Sequence, residues 1–117
     1  MSFESDLLAA LKAATPVVWE LIAPAGTVAP YITWQIIGGQ SLRNLDKTAS
    51  NKRNFLVQVN SWSKTRTEAR TIIRAAEDAL CAASGFSAMP EGEPISTYED
   101  DTAIFGAIQR FSINATR

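Results

Sequence analysis

Near the start of the chain, apolar residues recur at the spacing of a helix. They form one stripe, which predicts an amphipathic helix: Phe3, Leu7, Leu8, Leu11 and Ala14. Ser2 is a good N-cap, and Pro16 ends the helix because proline cannot continue its hydrogen-bond pattern. The apolar segment Val17–Ile22 predicts a short strand or an extended crossing, and the loop 24–30 follows, rich in proline and glycine.

In two segments further along, successive side chains alternate as they do on the two faces of a strand, which predicts two strands. The first, Tyr31–Ile37, places Tyr31 and Trp34 on opposite faces, and a glycine pair ends it. The second, Arg53–Trp62, carries its regularly spaced apolar residues on one face: Phe55, Val57 and Val59. These two strands are the clearest β signals in the sequence.

The segment between the two strands, Gln40–Lys52, is polar and rich in serine, asparagine and lysine. Connections longer than about 12 residues are uncommon in compact domains and are often functional or disordered until they bind a partner. We therefore expect a flexible working loop over residues 40–52.

The second helix has the strongest local pattern. Thr65 and Glu68 form a capping box, in which both side chains bond to free backbone amides. An apolar stripe follows at helical spacing: Ala69, Ile72, Ile73, Ala76, Leu80 and Ala83. Gly85 is a natural C-terminal stop. Three arginines recur every four residues on another face of this helix: Arg66, Arg70 and Arg74.

The rest of the chain predicts a loop (90–94), a short strand (Ile95–Tyr98), an acidic turn (Glu99 to Asp101) and a long strand (Ala103–Ala115). Short connections between neighbouring strands imply antiparallel pairing. The fold class is therefore α+β, in the order α-β-(β)-β-α-β-β. We expect a single domain over 1–117, with an antiparallel or mixed sheet of about four to five strands and two helices packed on one face.

The composition offers little chemistry for catalysis. The 117 residues include no histidine and a single cysteine. Cys81 lies beside the apolar stripe of the second helix, where a buried core thiol is favoured over a nucleophile. We therefore predict no catalytic residue, no metal site and no cofactor, and hence no enzyme. Acidic residues near the start oppose a secretory signal, and no apolar run approaches the roughly 20 residues of a membrane span, so no membrane partner is expected.

Charge is segregated along the chain although the net charge is only −1. Between Arg43 and Arg74 there are eight basic residues and two acidic ones, whereas Glu77 to Asp101 contains seven acidic residues and no basic one. Complementary regions on one subunit suit head-to-tail self-association, and a merely solvated surface is the equally open alternative. The basic loop 43–53 also leaves a nucleic-acid-binding domain as an alternative, which the slightly negative net charge disfavours.

Three sequence blocks together resemble a known family. Residues 30–35 (PYITWQ) are followed by residues 57–63 (VQVNSWS), which lead directly into the capped helix, and residues 98–102 (YEDDT) lead into the closing strand around Arg110. In this order and spacing the blocks resemble the small tail-completion proteins of tailed bacteriophages and prophages, which are similar to tail terminator proteins. The resemblance spans residues 5–113.

The resemblance implies a structural role in a phage tail. Such proteins form a ring, commonly six-fold, that caps the tail tube and allows the head to join, and an isolated subunit can be monomeric. The implied partners are copies of the chain itself, the tail tube protein and head–tail connector proteins. The implied location is the bacterial host cytoplasm during assembly and then the virion tail. A head–tail joining subunit is the nearest alternative.

We expect the charged residues to form the subunit or tube interface. The candidates are Arg43, Lys47, Lys52, Arg53, Arg66, Arg70, Arg74, Glu99, Asp100, Asp101 and Arg110. Arg110 is the least expected charge, because it stands among apolar neighbours of the last strand, and it faces either a ring lumen or a carboxylate. Trp62, after the second strand, is interpreted as a core lid in preference to an interface residue.

Overall fold

The computed structural model describes residues 3–40, 52–100 and 103–116. Two helices and six strands follow one another along this part of the chain: α1 (Phe3–Ala14), β1 (Val18–Glu20), β2 (Tyr31–Gly38), β3 (Lys52–Ser63), α2 (Arg66–Ala82), β4 (Ser87–Pro90), β5 (Ile95–Glu99) and β6 (Ile104–Thr116). The predicted α+β class is confirmed, and the sheet is mixed and slightly larger than expected. None of the described helices is long and apolar enough to cross a bilayer.

The sheet has the strand order β1-β2-β3-β6-β4, with β5 also pairing β6. β1 runs parallel to β2, and every other pair is antiparallel. β6 is long enough that its first half pairs β5 and its second half pairs β4, while its other side pairs β3 throughout. One outer edge of the sheet is therefore β1, and the opposite edge is shared by β4 and β5.

Both helices pack on one face of this sheet and enclose the core. The α2 stripe is buried from Ala69 to Leu80, as its spacing predicts, and α1 contributes Leu7 and Leu11. The sheet contributes alternate residues of each long strand, among them Trp34 and Phe111. The other face of the sheet, which carries no helix, is called the open face below.

The start of α2 follows the predicted cap only in part. Thr65 Oγ1 accepts a hydrogen bond from the Glu68 amide at 3.1 Å, which is the N-cap bond. The Glu68 carboxylate, however, accepts from the buried Ser63 hydroxyl, and the Thr65 amide donates to Ser63 Oγ at 3.4 Å. In a capping box the Glu68 side chain would accept directly from the Thr65 amide. Here Ser63 lies between the two and bonds to both.

Gly85 was predicted to stop α2, but the helix ends earlier. Ala83 is the C-cap in an extended conformation, and its amide bonds to Leu80 O at 3.3 Å. Gly85 instead lies so close to Asp6 of α1 that a Cβ there would overlap the carboxylate. The segment after α2 thus lies against the Asp6 side chain of α1, and Gly85 has no left-handed backbone conformation.

Three further predictions need correction. Lys52 lies in β3 and not in the loop that precedes it. β4 was not predicted, because its four residues form a strand only through pairing with the distant β6. Cys81 is exposed and not a core thiol, because the helix directs its neighbour Leu80 to the core. Partial desolvation, then Glu77 and Asp78, raise the pKa of the Cys81 thiol, which opposes thiolate formation.

Candidate subunit interface

The predicted interface residues fall in separate places on the structure. Arg43, Lys47 and Asp101 lie outside the described residues. Lys52 and Arg53 stand at the start of β3, and α2 with its three arginines begins beyond the other end of that strand. β3 takes the chain about 35 Å from Lys52 to the start of α2, at about 3.3 Å per residue. α2 then runs back along the sheet, yet Lys52 lines a different cleft from Arg70 and Arg74. The described basic residues therefore do not form one continuous surface of the kind that follows a nucleic-acid backbone.

The α2 arginines line the side of the helix that faces β5. The Arg66 guanidinium lies 5.5 Å from the centroid of the Phe105 ring, within cation–π range. Arg70 Nη2 donates to Ser96 Oγ at 3.4 Å. Arg70 and Arg74 line a groove of about 210 Å³ between α2 and β5, together with Glu93 and Pro94.

These arginines remain without a close carboxylate partner within the described chain. Glu93 lies in the same groove, yet no ion pair joins it to Arg70 or Arg74. Exposed guanidinium groups in this state are available to a carboxylate of another protein. The structure thus brings part of the basic row next to one acidic residue of the 77–101 segment, without pairing them.

Glu99 and Asp100 lie at the end of β5, away from that groove. Glu99 faces a cleft of about 310 Å³ on the open face, which is also lined by Tyr31, Thr33 and Trp62. Burial and the charge of Glu99, in that order, raise the pKa of Tyr31 above its ordinary value of 10.0. Glu99 therefore acts electrostatically on the open face of the sheet.

Arg110 is exposed on the open face, where its register partner on β3 is Gln58. The Arg110 carbonyl accepts a hydrogen bond from the Glu91 amide at 2.8 Å, at the gap between β4 and β5. Among the described residues its side chain has no carboxylate partner. The predicted pairing of Arg110 with a carboxylate is therefore absent from the described part of the subunit. Its predicted position in a ring lumen stays a prediction.

The open face carries an array of uncharged polar side chains. Thr33 Oγ1 accepts from both Asn60 Nδ2 and Trp62 Nε1, each at 3.2 Å. Further down the sheet, Asn54 Nδ2 donates to Ser112 Oγ at 3.1 Å and to Asn114 Oδ1 at 3.0 Å. These bonds fix the side chains of three neighbouring strands.

Trp62 belongs to this open face and not to the main core. Its ring lies over Gly106, where an added Cβ would come within 2.7 Å of Trp62 Cζ3. Its indole nitrogen is engaged by Thr33, and the side chain is half-buried. The expected core lid is therefore a lid on the second face of the sheet.

The sequence did not reveal the exposed apolar residues at the two sheet edges. At β1 and just after it, the exposed fractions are 40% for Trp19, 63% for Leu21 and 79% for Ile22. At the opposite edge they are 66% for Met89 and 65% for Ile95. The apolar run Val17–Ile22 was visible in the sequence, but a run of this kind does not tell a buried strand from an exposed edge.

Within residues 3–40, 52–100 and 103–116, no group of three or more cysteine, aspartate or glutamate residues could hold a metal ion. What the described surface offers is exposed charge and exposed apolar side chains. Side chains of both kinds occur in protein–protein contacts.

Comparisons with known proteins agree with this picture. The family model for tail completion protein gp17 matches residues 5–114. Among solved structures, a chain from "Virion of native gene transfer agent (GTA) particle" is similar, with a TM-score of 0.54 and 18% identity, covering 94% of this chain and 84% of that chain. At this identity the likeness shows a shared fold. No curated protein sequence matches this chain significantly.

Proposed function

This chain belongs to the tail completion protein gp17 family, and we propose that it assembles with copies of itself into a ring that caps the end of a phage tail tube. As a member of that family it is a structural protein of a phage tail, and the family is not one of enzymes. In the proposed role the ring ends polymerisation of the tube and offers a surface to which the head joins.

The observation that carries the proposal is the extent of the family match. Residues 5–114 include nearly all of α1, all of α2 and all but the last residues of β6. The match also includes every candidate interface residue, from Arg43 to Arg110. The domain as a whole, and not one motif within it, therefore supports a tail-completion role.

The surface supports self-association as the way in which this role is performed. The two outer edges of the sheet differ from each other, and both expose large apolar side chains. A subunit with two different contact surfaces can close a ring by heterologous, head-to-tail contacts. We propose six copies in the assembled ring, with the tail tube protein on one side and connector proteins of the head on the other.

The family match supports a place in the virion tail. Before that, we propose that assembly takes place in the cytoplasm of the bacterial host. A head–tail joining subunit would share this location and differ in its effect on tube length.

The experiment that tests the proposal is electron microscopy of negatively stained tails assembled in cells with and without this gene. We expect uniform tubes with a ring at one end when the gene is present, and over-long tubes without a ring when it is absent. Supplying the gene in trans is the matched control and restores uniform length. Equal tube lengths in both samples would contradict the capping role and favour head joining.

A further inference from the structure

We propose that successive copies in the ring join edge to edge, with one outer edge of the sheet docking on the opposite outer edge of the next copy. The first contact surface, called the β1 edge, consists of Trp19, Glu20, Leu21 and Ile22. The second, called the β5 edge, consists of Arg70, Arg74, Met89 and Ile95. The inference rests on the ring proposed above and assigns its subunit contact.

The two edges lie at opposite ends of the strand order. β1 pairs only β2, and β4 and β5 pair only β6, so the outer side of each is unpaired within the described chain. A closed ring with head-to-tail contacts requires two different surfaces on opposite sides of the subunit, because every copy contacts one neighbour with each surface. A two-fold dimer would instead use one surface twice.

The exposed apolar side chains of both edges lie on the open face. Met89 is opposite Ser112 and Ile95 is opposite Ile108, positions that alternate with the core residues of β6. Leu21 and Ile22 line the open-face cleft together with Thr33. When copies repeat side by side, the apolar groups of the two edges therefore meet on the same side of the joined sheets.

The backbone holds Leu21 in an unusual position for this purpose. Leu21 has a φ of 67°, a left-handed conformation that is unfavourable for a residue with a side chain. Its amide still bonds to Trp34 O at 2.7 Å, while the chain reverses and leaves the leucine side chain 63% exposed. A strained backbone that presents an apolar side chain to water is consistent with a binding surface.

The charges of the two edges are complementary and lie on the other side of the sheet. Glu20 is opposite the core residue Trp34 in the register, so its exposed carboxylate lies on the helix-bearing side, without a described partner. Arg70 and Arg74 lie on the same side at the β5 edge. Side-by-side copies therefore bring Glu20 of one to the arginine groove of the next, where the two arginines outnumber the one carboxylate, Glu93.

The contact is made by side chains and does not extend the sheet from copy to copy. β1 has only three residues, and proline stands at the end of β4 and immediately before β5. Short edge strands and edge prolines are devices that prevent continuous strand pairing. The short β1 and the edge prolines therefore favour a contact between side chains in a closed ring and disfavour a sheet that continues from copy to copy.

Cross-linking in assembled tails tests the geometry. Ile22→Cys and Ile95→Cys are introduced separately and together, in a Cys81→Ser background because Cys81 is exposed. Tails are treated with a short bismaleimide and analysed by denaturing electrophoresis. We expect no dimer from either single variant, a dimer when the two are co-expressed, and a ladder of oligomers from the double variant.

Two results would overturn the inference while leaving the ring intact. One is a dimer from either single variant, which indicates a two-fold contact. The other is the absence of cross-links in tails whose rings are visible by microscopy. If wild-type tails carry no ring at all, the proposed function fails first, so the two failures are distinguishable.

Charge exchange tests the second part of the contact. Glu20→Arg and Arg74→Glu each place like charges together, and we expect each to lower the fraction of ringed tails about fivefold. The combined variant exchanges the charges and should restore it. Lys64→Glu, at an exposed position between β3 and α2, is the control and should have no effect. Failure of the combined variant to recover would show that Glu20 and Arg74 do not meet.

Discussion

Gln109 donates a hydrogen bond from Nε2 to Glu77 Oε1 at 2.6 Å and thereby joins the central strand β6 to α2. The same nitrogen donates to Gly92 O at 2.9 Å, so one buried amide also fixes the loop between β4 and β5. Gln109 Oε1 has no partner among the described residues. The opposite orientation of the amide would set that oxygen against a carboxylate and a carbonyl, which explains the one observed.

Replacing Glu77 should destabilise the fold through this bond. Glu77→Ala leaves one buried N–H of Gln109 without its acceptor, and we expect the free energy of unfolding to fall by about 1–3 kcal/mol. Urea denaturation followed by circular dichroism measures it. Asp78→Ala, on the exposed side of the same helix, controls for helix propensity. Equal losses in the two variants would show that the Gln109 bond contributes nothing.

The glycine pair that ends β2 provides a matched comparison. Gly38 and Gly39 have φ values of 142° and 137°, but only at Gly39 would a Cβ overlap the carbonyl of Asn54. Both alanine substitutions introduce backbone strain of about 1–3 kcal/mol, because residues other than glycine rarely adopt these φ values, and Gly39→Ala adds overlap of about 1–3 kcal/mol. Thermal unfolding should therefore rank Gly39→Ala below Gly38→Ala. The reverse order would contradict the close approach of the two strands.

Tyr31 should titrate late, since burial and then the Glu99 charge raise its pKa above 10.0. The folded state then holds the phenolic proton more tightly than the unfolded chain does. The resulting stabilisation is complete below the unfolded pKa and is lost as the pH rises through the folded pKa.

Ultraviolet titration of tyrosinate in a Tyr98→Phe background checks this prediction, because the chain has only two tyrosines. Glu99→Gln should move the Tyr31 pKa back toward its ordinary value. Tyr31→Phe should remove the corresponding part of the alkaline loss of stability. A Tyr31 that titrates at its ordinary value in the folded chain would contradict both its burial and the placement of Glu99 beside it.

Cys81 should react slowly with alkylating reagents although it is exposed. Its raised pKa, caused by partial desolvation and by Glu77 and Asp78, lowers the thiolate fraction at neutral pH. We expect iodoacetamide to modify it several-fold more slowly than free cysteine, and Asp78→Asn to increase the rate. Mass spectrometry gives both rates. A rate equal to that of free cysteine would show that these carboxylates do not act on the thiol.

The sequence predicts those parts of this fold whose evidence is local. The α2 stripe and Thr65 are sufficient to place the second helix, because helical period and capping depend on residues a few positions apart. β4 becomes a strand only through β6, more than 20 residues away, so its own composition does not reveal it. Cys81 was wrongly predicted to be buried, because adjacent helix residues point in different directions and Cys81 directly follows the buried Leu80.

The candidate interface shows the same limit. The charged residues could be named from the sequence, but which of them share a surface depends on how the elements pack, as the different clefts of Lys52 and Arg70 illustrate. Leu21 and Ile95 were missed because apolar composition is read as core unless the sheet edge is known.

The position of β6 determines when both outer edges of the sheet are complete. β6 follows every other described element in the sequence, yet it lies between β3 on one side and β4 with β5 on the other. Until it is inserted, neither β4 nor β5 has a strand to pair with, and the β5 edge does not exist. Because such distant pairings form slowly, a nascent or partly folded subunit lacks one of the two surfaces needed for a head-to-tail contact. If the ring forms by the proposed edge-to-edge contact, insertion of this one strand is a folding checkpoint that admits to assembly only subunits whose sheet is complete.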